Sequence, residues 1–187
     1  MIAESGRALP RAFFDRDVLE VAPDLVHRVF AVADGRAGRI VEVEAYRGAD
    51  DPAAHSFRGR TARNATMFGP PGHLYVYLSY GLHWCCNATC GNGTGVLIRA
   101  VRPLAGIGKM REARGRPRRE ADLANGPGKV GQAFGIDRGH DGEDLVAGER
   151  VAILDDGHHD ARPLLVTPRI GISKAADFPW RWVAAPH

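Results

Sequence analysis

Lysine, cysteine, methionine and tyrosine are all scarce in this chain. Among 187 residues there are three lysines, three cysteines, three methionines and four tyrosines. The cysteines, Cys85, Cys86 and Cys90, form a single cluster of odd number, which excludes a disulfide framework. On a strand, Cys86 and Cys90 would lie about 13 Å apart, too far for one bridge or one zinc ion. Free thiols in a reducing compartment are expected instead. No apolar run approaches the roughly 20 residues of a membrane span. The opening stretch lacks the apolar core of a secretory signal. Repeats and low-complexity tracts are missing as well. Secreted small-scaffold, membrane and fibrous classes are thereby excluded, and a single globular domain over residues 1–187 is expected.

Arginine is abundant. The 25 basic and 22 acidic residues give a net charge of +3. Heavy use of Arg, Ala and Gly also fits a GC-rich genome, but the charge is unevenly spread. Arg99 to Arg119 carries eight basic residues and one acid, a local charge of +7, leaving −4 for the rest. A basic stripe on a mildly acidic body suits a polyanion partner; a solvated Arg-rich loop would look the same.

The pattern predicts an α+β fold around antiparallel strands. Val18 to Val26 has helical spacing, with Asp15 or Asp17 as cap and an interruption near Pro23. A strand running to Tyr46 would place Ile40, Glu42, Glu44 and Tyr46 on one face. Residues 48–71 form a long loop rich in Gly, Pro, Asp and Arg, and loops of this length usually carry function. Strands follow at 73–79, 82–89 and 95–101. Tyr80-Gly81 and Gly91-Asn92-Gly93 make the turns between them. Lys109 to Arg114 suits a helical turn. Pro127 opens a helix through Phe134, and its Asn125-Gly126-Pro127-Gly128-Lys129 entry could also present N–H groups to phosphate. Strands are expected at 151–154 and around 169–172, and Pro179 to Val183 should close the core.

Two glutamates in mid-strand are unusual, because strands are depleted in Glu. A buried carboxylate must be paired, neutral or at work. Two readings are open here: a general base beside a flat aromatic slot, or two solvated side chains. Tyr75, Tyr77 and Tyr80 could each belong to the core or, as a group beside Glu44 and His55, could sandwich a planar ring. Tyr80, on an exposed turn, suits a wedge between stacked bases, unless it folds back on the sheet.

The ordered motifs Val41-Glu42-Val43-Glu44-Ala45-Tyr46, Ala53-Ala54-His55, Thr61-Ala62-Arg63-Asn64, Pro71 to Gly81, Asn87, Val96 to Ala100, Gly126-Pro127-Gly128-Lys129 and Arg169-Ile170-Gly171 resemble the alkyladenine (3-methyladenine) DNA glycosylase family of the mammalian type. The resemblance spans roughly residues 10–185. It implies a single-domain α+β fold with a curved antiparallel sheet and a protruding β-hairpin. It also implies excision of 3-methyladenine, 7-methylguanine, hypoxanthine and ethenoadenine from double-stranded DNA. By resemblance, Glu44 activates water, which Arg99 and the Ile170 carbonyl help to hold. Tyr46, His55 and Tyr77 line the base slot, and Asn87 obstructs the amino group of guanine. Tyr80 fills the gap in the duplex, and Arg60, Arg63 and Lys129 touch the DNA backbone. No cofactor, metal or membrane is implied. A monomer is expected, cytoplasmic and nucleoid-associated if bacterial, nuclear if eukaryotic. The start of the chain, close to the fold and without a long basic leader, is more like a bacterial member. His83 departs from relatives that carry an aromatic after Leu82, and residues 111–119 diverge further, which leaves lesion preference open. The rival readings are a non-catalytic nucleic-acid-binding module and a metal-dependent hydrolase using His83 and the cysteines.

Overall fold

A computed structural model describes residues 6–185. In chain order, the first elements are β1 (Arg7–Ala8), α1 (Arg11–Phe14), α2 (Val18–Leu25), β2 (Val29–Val32) and β3 (Ala37–Tyr46). The middle of the chain holds β4 (Leu74–Ser79), β5 (His83–Gly91), β6 (Thr94–Ala105), α3 (Ile107–Ala113) and α4 (Pro127–Phe134). The last strands are β7 (Val151–Asp155), β8 (Leu165–Thr167) and β9 (Arg181–Val183). The main path of the antiparallel sheet runs β1-β7-β2-β3-β6-β5-β4. On one edge of β3, β2 pairs with its first half and β9 pairs with Glu42 to Glu44. This is the expected α+β architecture. The short β1 and β2, which no periodicity announced, lie with β7 toward the edge opposite the hairpin, and the short α1 packs against α2 and β5.

Strand β3 does not keep a simple alternation. Ile40 faces Val101, Glu42 faces Ala100 and Val43 faces Ile98, so Val41 has no partner on β6 and Arg99 has none on β3. Two opposed bulges therefore reset the phase of both strands, as bulges do when they re-aim side chains. The expectation that Ile40 shares the glutamate face is corrected here. Ile40 joins Val43 and Ala45 in the core, while Glu42, Glu44 and Tyr46 point the other way.

The core packs Phe14, Val21, Leu25, Met110, Val130 and Phe134 from the helices against that apolar face. Asp17 caps α2 by accepting from Leu19 N at 2.9 Å. Pro23 does not interrupt the helix, as the sequence suggested, but lies inside it, two residues before its end. Helix α4 lies close on β5, because a Cβ at Gly131 would stand 2.1 Å from the Trp84 carbonyl oxygen and one at Gly128 2.6 Å from His83 Cβ. These glycines thus serve helix–strand contact. The strand expected around 169–172 is absent. Those residues form no ladder, and the nearby pairing is β8 with β9 instead.

Candidate active site

The bulges turn a cluster of charges toward one pocket. Glu44 is wholly buried. Its carboxylate accepts from Tyr46 Oη at 2.9 Å and from the Ile170 backbone N–H at 2.8 Å, and lies 3.3 Å from Arg99 Nη1. Glu42 accepts from Arg99 Nε at 2.8 Å and from Arg181 Nε at 2.7 Å. Burial pushes the Glu42 carboxyl up, but hydrogen bonds and charge from Arg181 and Arg99 outweigh it and hold Glu42 below the usual carboxylate range. Burial works against the Arg99 charge, yet Glu44 and Glu42 together raise its pKa above the ordinary value. The two glutamates are therefore not equivalent. Glu42 anchors Arg99, and Glu44 lies buried beneath the floor that Tyr46, Arg99 and Ile170 form.

Above this floor is a pocket of about 620 Å³, within the range of small-molecule sites. All four tyrosines of the chain line it, with His55, Asn87 and Cys85. The rings of His55 and Tyr77 meet edge to face, with centroids 4.5 Å apart and planes at 86°. Tyr75 and Tyr77 stack at 5.7 Å. Partial burial and the charge of Arg63 lower the His55 pKa, so the imidazole is neutral at pH 7. Burial raises the Tyr77 and Tyr46 phenols strongly, and that of Tyr75 to about 12, so all three keep their protons. Asn87 is buried and donates to the Tyr75 carbonyl at 3.2 Å. The Cys85 thiol is pushed up by burial and stays protonated.

The long loop is held from within. Asn64 accepts from Thr61 N at 2.6 Å and donates to the His55 carbonyl at 3.0 Å, while Ser56 Oγ donates to the Gly93 carbonyl. At the rim, Tyr80 is 87 % exposed with a φ of 50°, next to Gly81 at 69°. The Leu82 N–H donates to the Ser79 carbonyl at 3.0 Å across these two left-handed residues, so Tyr80 sits at the tip of a tight turn. It does not fold back on the sheet.

The structure brings Arg99, Ile170, Tyr46, His55, Tyr77 and Asn87 to one pocket, with Tyr80 and Arg63 at its edge; Glu44 does not line it but is buried behind Tyr46, Arg99 and Ile170, which it contacts. Arg60 and Lys129 are exposed and do not line it; Lys129 bonds to Asn125 at 2.7 Å. The Ile170 group facing Glu44 is its N–H. Within the basic stripe, Arg99 enters the pocket, Arg111 and Arg114 donate to the Pro117 and Leu123 carbonyls at 2.9 Å, and Arg119 pairs with Asp122 at 2.8 Å. Cys86 and Cys90 lie in the core while Cys85 faces the pocket, so the thiols and His83 do not converge. Among the described residues, the one group close enough to share an ion is His27, His158 and Asp160, none of which lines the pocket. Sequence reasoning missed Asp51, Arg169 and Arg181. Arg169 stands in the Arg169-Ile170-Gly171 motif, but nothing in that motif marks it as a buried, paired cation.

Fold and site together define a class: a single-domain α+β protein with an aromatic-lined pocket above a buried acid and an exposed aromatic at the rim. A family model described as methylpurine-DNA glycosylase (MPG) matches residues 12–187. A protein of Burkholderia lata is 60% identical over 181 residues, covering 95% of this chain and 87% of its own length. One from Rhodopseudomonas palustris strain BisB18 is 51% identical over 180 residues, with coverage of 95% and 87%. One from Koribacter versatilis is 47% identical over 186 residues, with coverage of 95% and 89%. Each of these relatives is provisionally named a 3-methyladenine DNA glycosylase. The chain belongs to the methylpurine-DNA glycosylase family.

Proposed function

We propose that this protein is a base-excision-repair glycosylase. It extrudes alkylated or deaminated purines from duplex DNA and hydrolyses the N-glycosidic bond with water activated by Glu44. The products are a free base and an abasic site. The observation that carries this reading is the wholly buried Glu44 carboxylate beneath a pocket lined by Tyr46, His55 and Tyr77.

A stacked base cannot be reached by water, so the nucleotide must leave the helix at a cost of a few kcal/mol. Tyr80 fills the gap and offsets part of that cost. Bond breaking builds positive charge on the sugar. The Glu44 carboxylate stabilises that charge and takes a proton from the attacking water. Arg99 holds Glu44 in place, and Asn87 fixes the wall that reads the base edge. Cationic purines such as 3-methyladenine favour the aromatic faces and leave as neutral bases. Neutral hypoxanthine and ethenoadenine rely on stacking and fit alone. Of the three lysines, only Lys174 lines the pocket, at its exposed rim, and the groups that contact Glu44 are Tyr46, Ile170 N–H and Arg99 and not a lysine. On this reading water and not an amine is the nucleophile, and the strand stays intact.

The test is Glu44→Gln on a hypoxanthine-containing duplex. Damaged-duplex affinity should stay within a few-fold of wild type while base release falls at least about 10³-fold, the scale of a lost general base. Full activity in that variant defeats the assignment and favours a binding module. A borohydride-trapped adduct in the wild type would show a Schiff base and remove the monofunctional part.

A further inference from the structure

Residues 168–180 cross the pocket mouth without helix or ladder, yet they hold the Ile170 N–H 2.8 Å from Glu44. The preceding residue supplies the anchor. The Arg169 side chain has no exposure, and neither does that of Asp51. Arg169 Nη1 donates to Asp51 Oδ2 at 2.5 Å and to the Ala45 carbonyl at 2.9 Å, and Nη2 donates to Asp51 Oδ1 at 2.8 Å. The guanidinium also lies 4.7 Å from the Tyr46 ring centroid and 5.1 Å from a ring of Trp180. Asp51 is fixed in turn by the backbone N–H groups of Arg47 at 3.2 Å and Ala53 at 3.1 Å.

One ion pair thus joins three parts of the pocket: the loop bearing His55, the ring of Tyr46 and the strap bearing Ile170. Taking two ions out of water is costly, and an apolar pair of similar volume is often as stable or more so. Stability alone therefore does not call for this pair. A forked, planar guanidinium can grip both carboxylate oxygens, a carbonyl and two ring faces at once, which fixes position.

We propose that Arg169 and Asp51 are positioning residues, which set the Ile170 N–H and the Tyr46 ring against Glu44 without touching substrate. The proposal rests on the glycosylase reading above. Its test compares wild type with Arg169→Lys and with the apolar double variant Asp51→Leu/Arg169→Met. Single-turnover hypoxanthine release, damaged-duplex affinity, thermal melting and hydrogen exchange at the Ile170 amide are measured for each. Both variants should melt cooperatively and bind damaged duplex within about threefold of wild type. Base release should fall about 10- to 100-fold, the scale of a misplaced reacting group, and the Ile170 amide should lose protection. Wild-type rates with a protected amide overturn the proposal. So does a proportional loss of binding and rate, or collapse of the fold in both variants. A wild-type protein that releases no base sinks the glycosylase reading itself, and the positioning role with it, which is a different result from an active wild type matched by its variants.

Discussion

The two faces of the β3–β6 ladder share one backbone and have opposite characters. On one face, Ile40, Val43, Ala45, Val96, Ile98 and Val101 are buried at 0–3 % exposure in the common core. On the other, Glu42, Glu44, Tyr46 and Arg99 form a hydrogen-bonded network of charge. The core face can tolerate volume-conserving changes, because hydrophobic packing is non-directional. The site face cannot, because each buried charge depends on a particular donor. The bulges at Val41 and Arg99 let one ladder serve both demands, aiming two charged groups at a single pocket while the apolar phase resumes beyond them.

That contrast can be broken from either side. On the site face, Glu44→Gln should lower the rate at least about 10³-fold and also cost about 1–3 kcal/mol of stability, because Tyr46, the Ile170 N–H and Arg99 lose the charge they face. On the core side, Gly131→Ala should cost stability and leave the rate of the folded protein unchanged. Its new Cβ would stand 2.1 Å from the Trp84 carbonyl oxygen, costing about 2–3 kcal/mol in urea unfolding. In contrast, Gly108→Ala on α3 meets nothing within 4 Å and should add about 0.4–1 kcal/mol.

A pH-dependent contact far from the pocket sharpens the comparison. Arg39 donates to Asp156 at 2.6 and 3.1 Å, and these bonds outweigh partial burial to hold Asp156 at about 2 against an ordinary 3.8. A lowered carboxyl pKa stabilises the fold above the unfolded value, and that contribution disappears as pH falls through the folded one. Because Asp156 is exposed and solvent screens the pair, Asp156→Asn should cost only about 1 kcal/mol at pH 6, with the gap closing between about pH 4 and pH 2 in unfolding curves.

The smallest of these effects belongs to the hairpin tip. With Tyr80 at a φ of 50°, Tyr80→Gly relieves a left-handed residue and should leave melting unchanged or slightly higher. The same change should slow base release from duplex DNA about tenfold through the lost wedge, worth a few kcal/mol of unstacking at most. Equal rates for the two proteins on duplex would remove the wedge role.

Legibility in the sequence followed the same division between faces. The core strands were readable because Leu74 and Val76, or Val96 and Ile98, alternate at period two. The hairpin was readable from Tyr80-Gly81. Glu44 stood out because an acid beside aromatics in mid-strand is rare. The phase of Ile40 was not readable, since a bulge is a property of two strands and only one was being read. Arg169 and Asp51 were hidden for a related reason: 118 positions separate them, and neither lies in a periodic element. Pro23 misled because a proline near the end of a helix loses only one backbone bond.

The most direct measurement is single-turnover incubation of the purified wild-type protein with a duplex bearing one hypoxanthine, alongside an undamaged control. Free hypoxanthine and an abasic site in an unbroken strand, confined to the damaged duplex, are the predicted result. Tight binding to that duplex with every glycosidic bond intact would contradict the account.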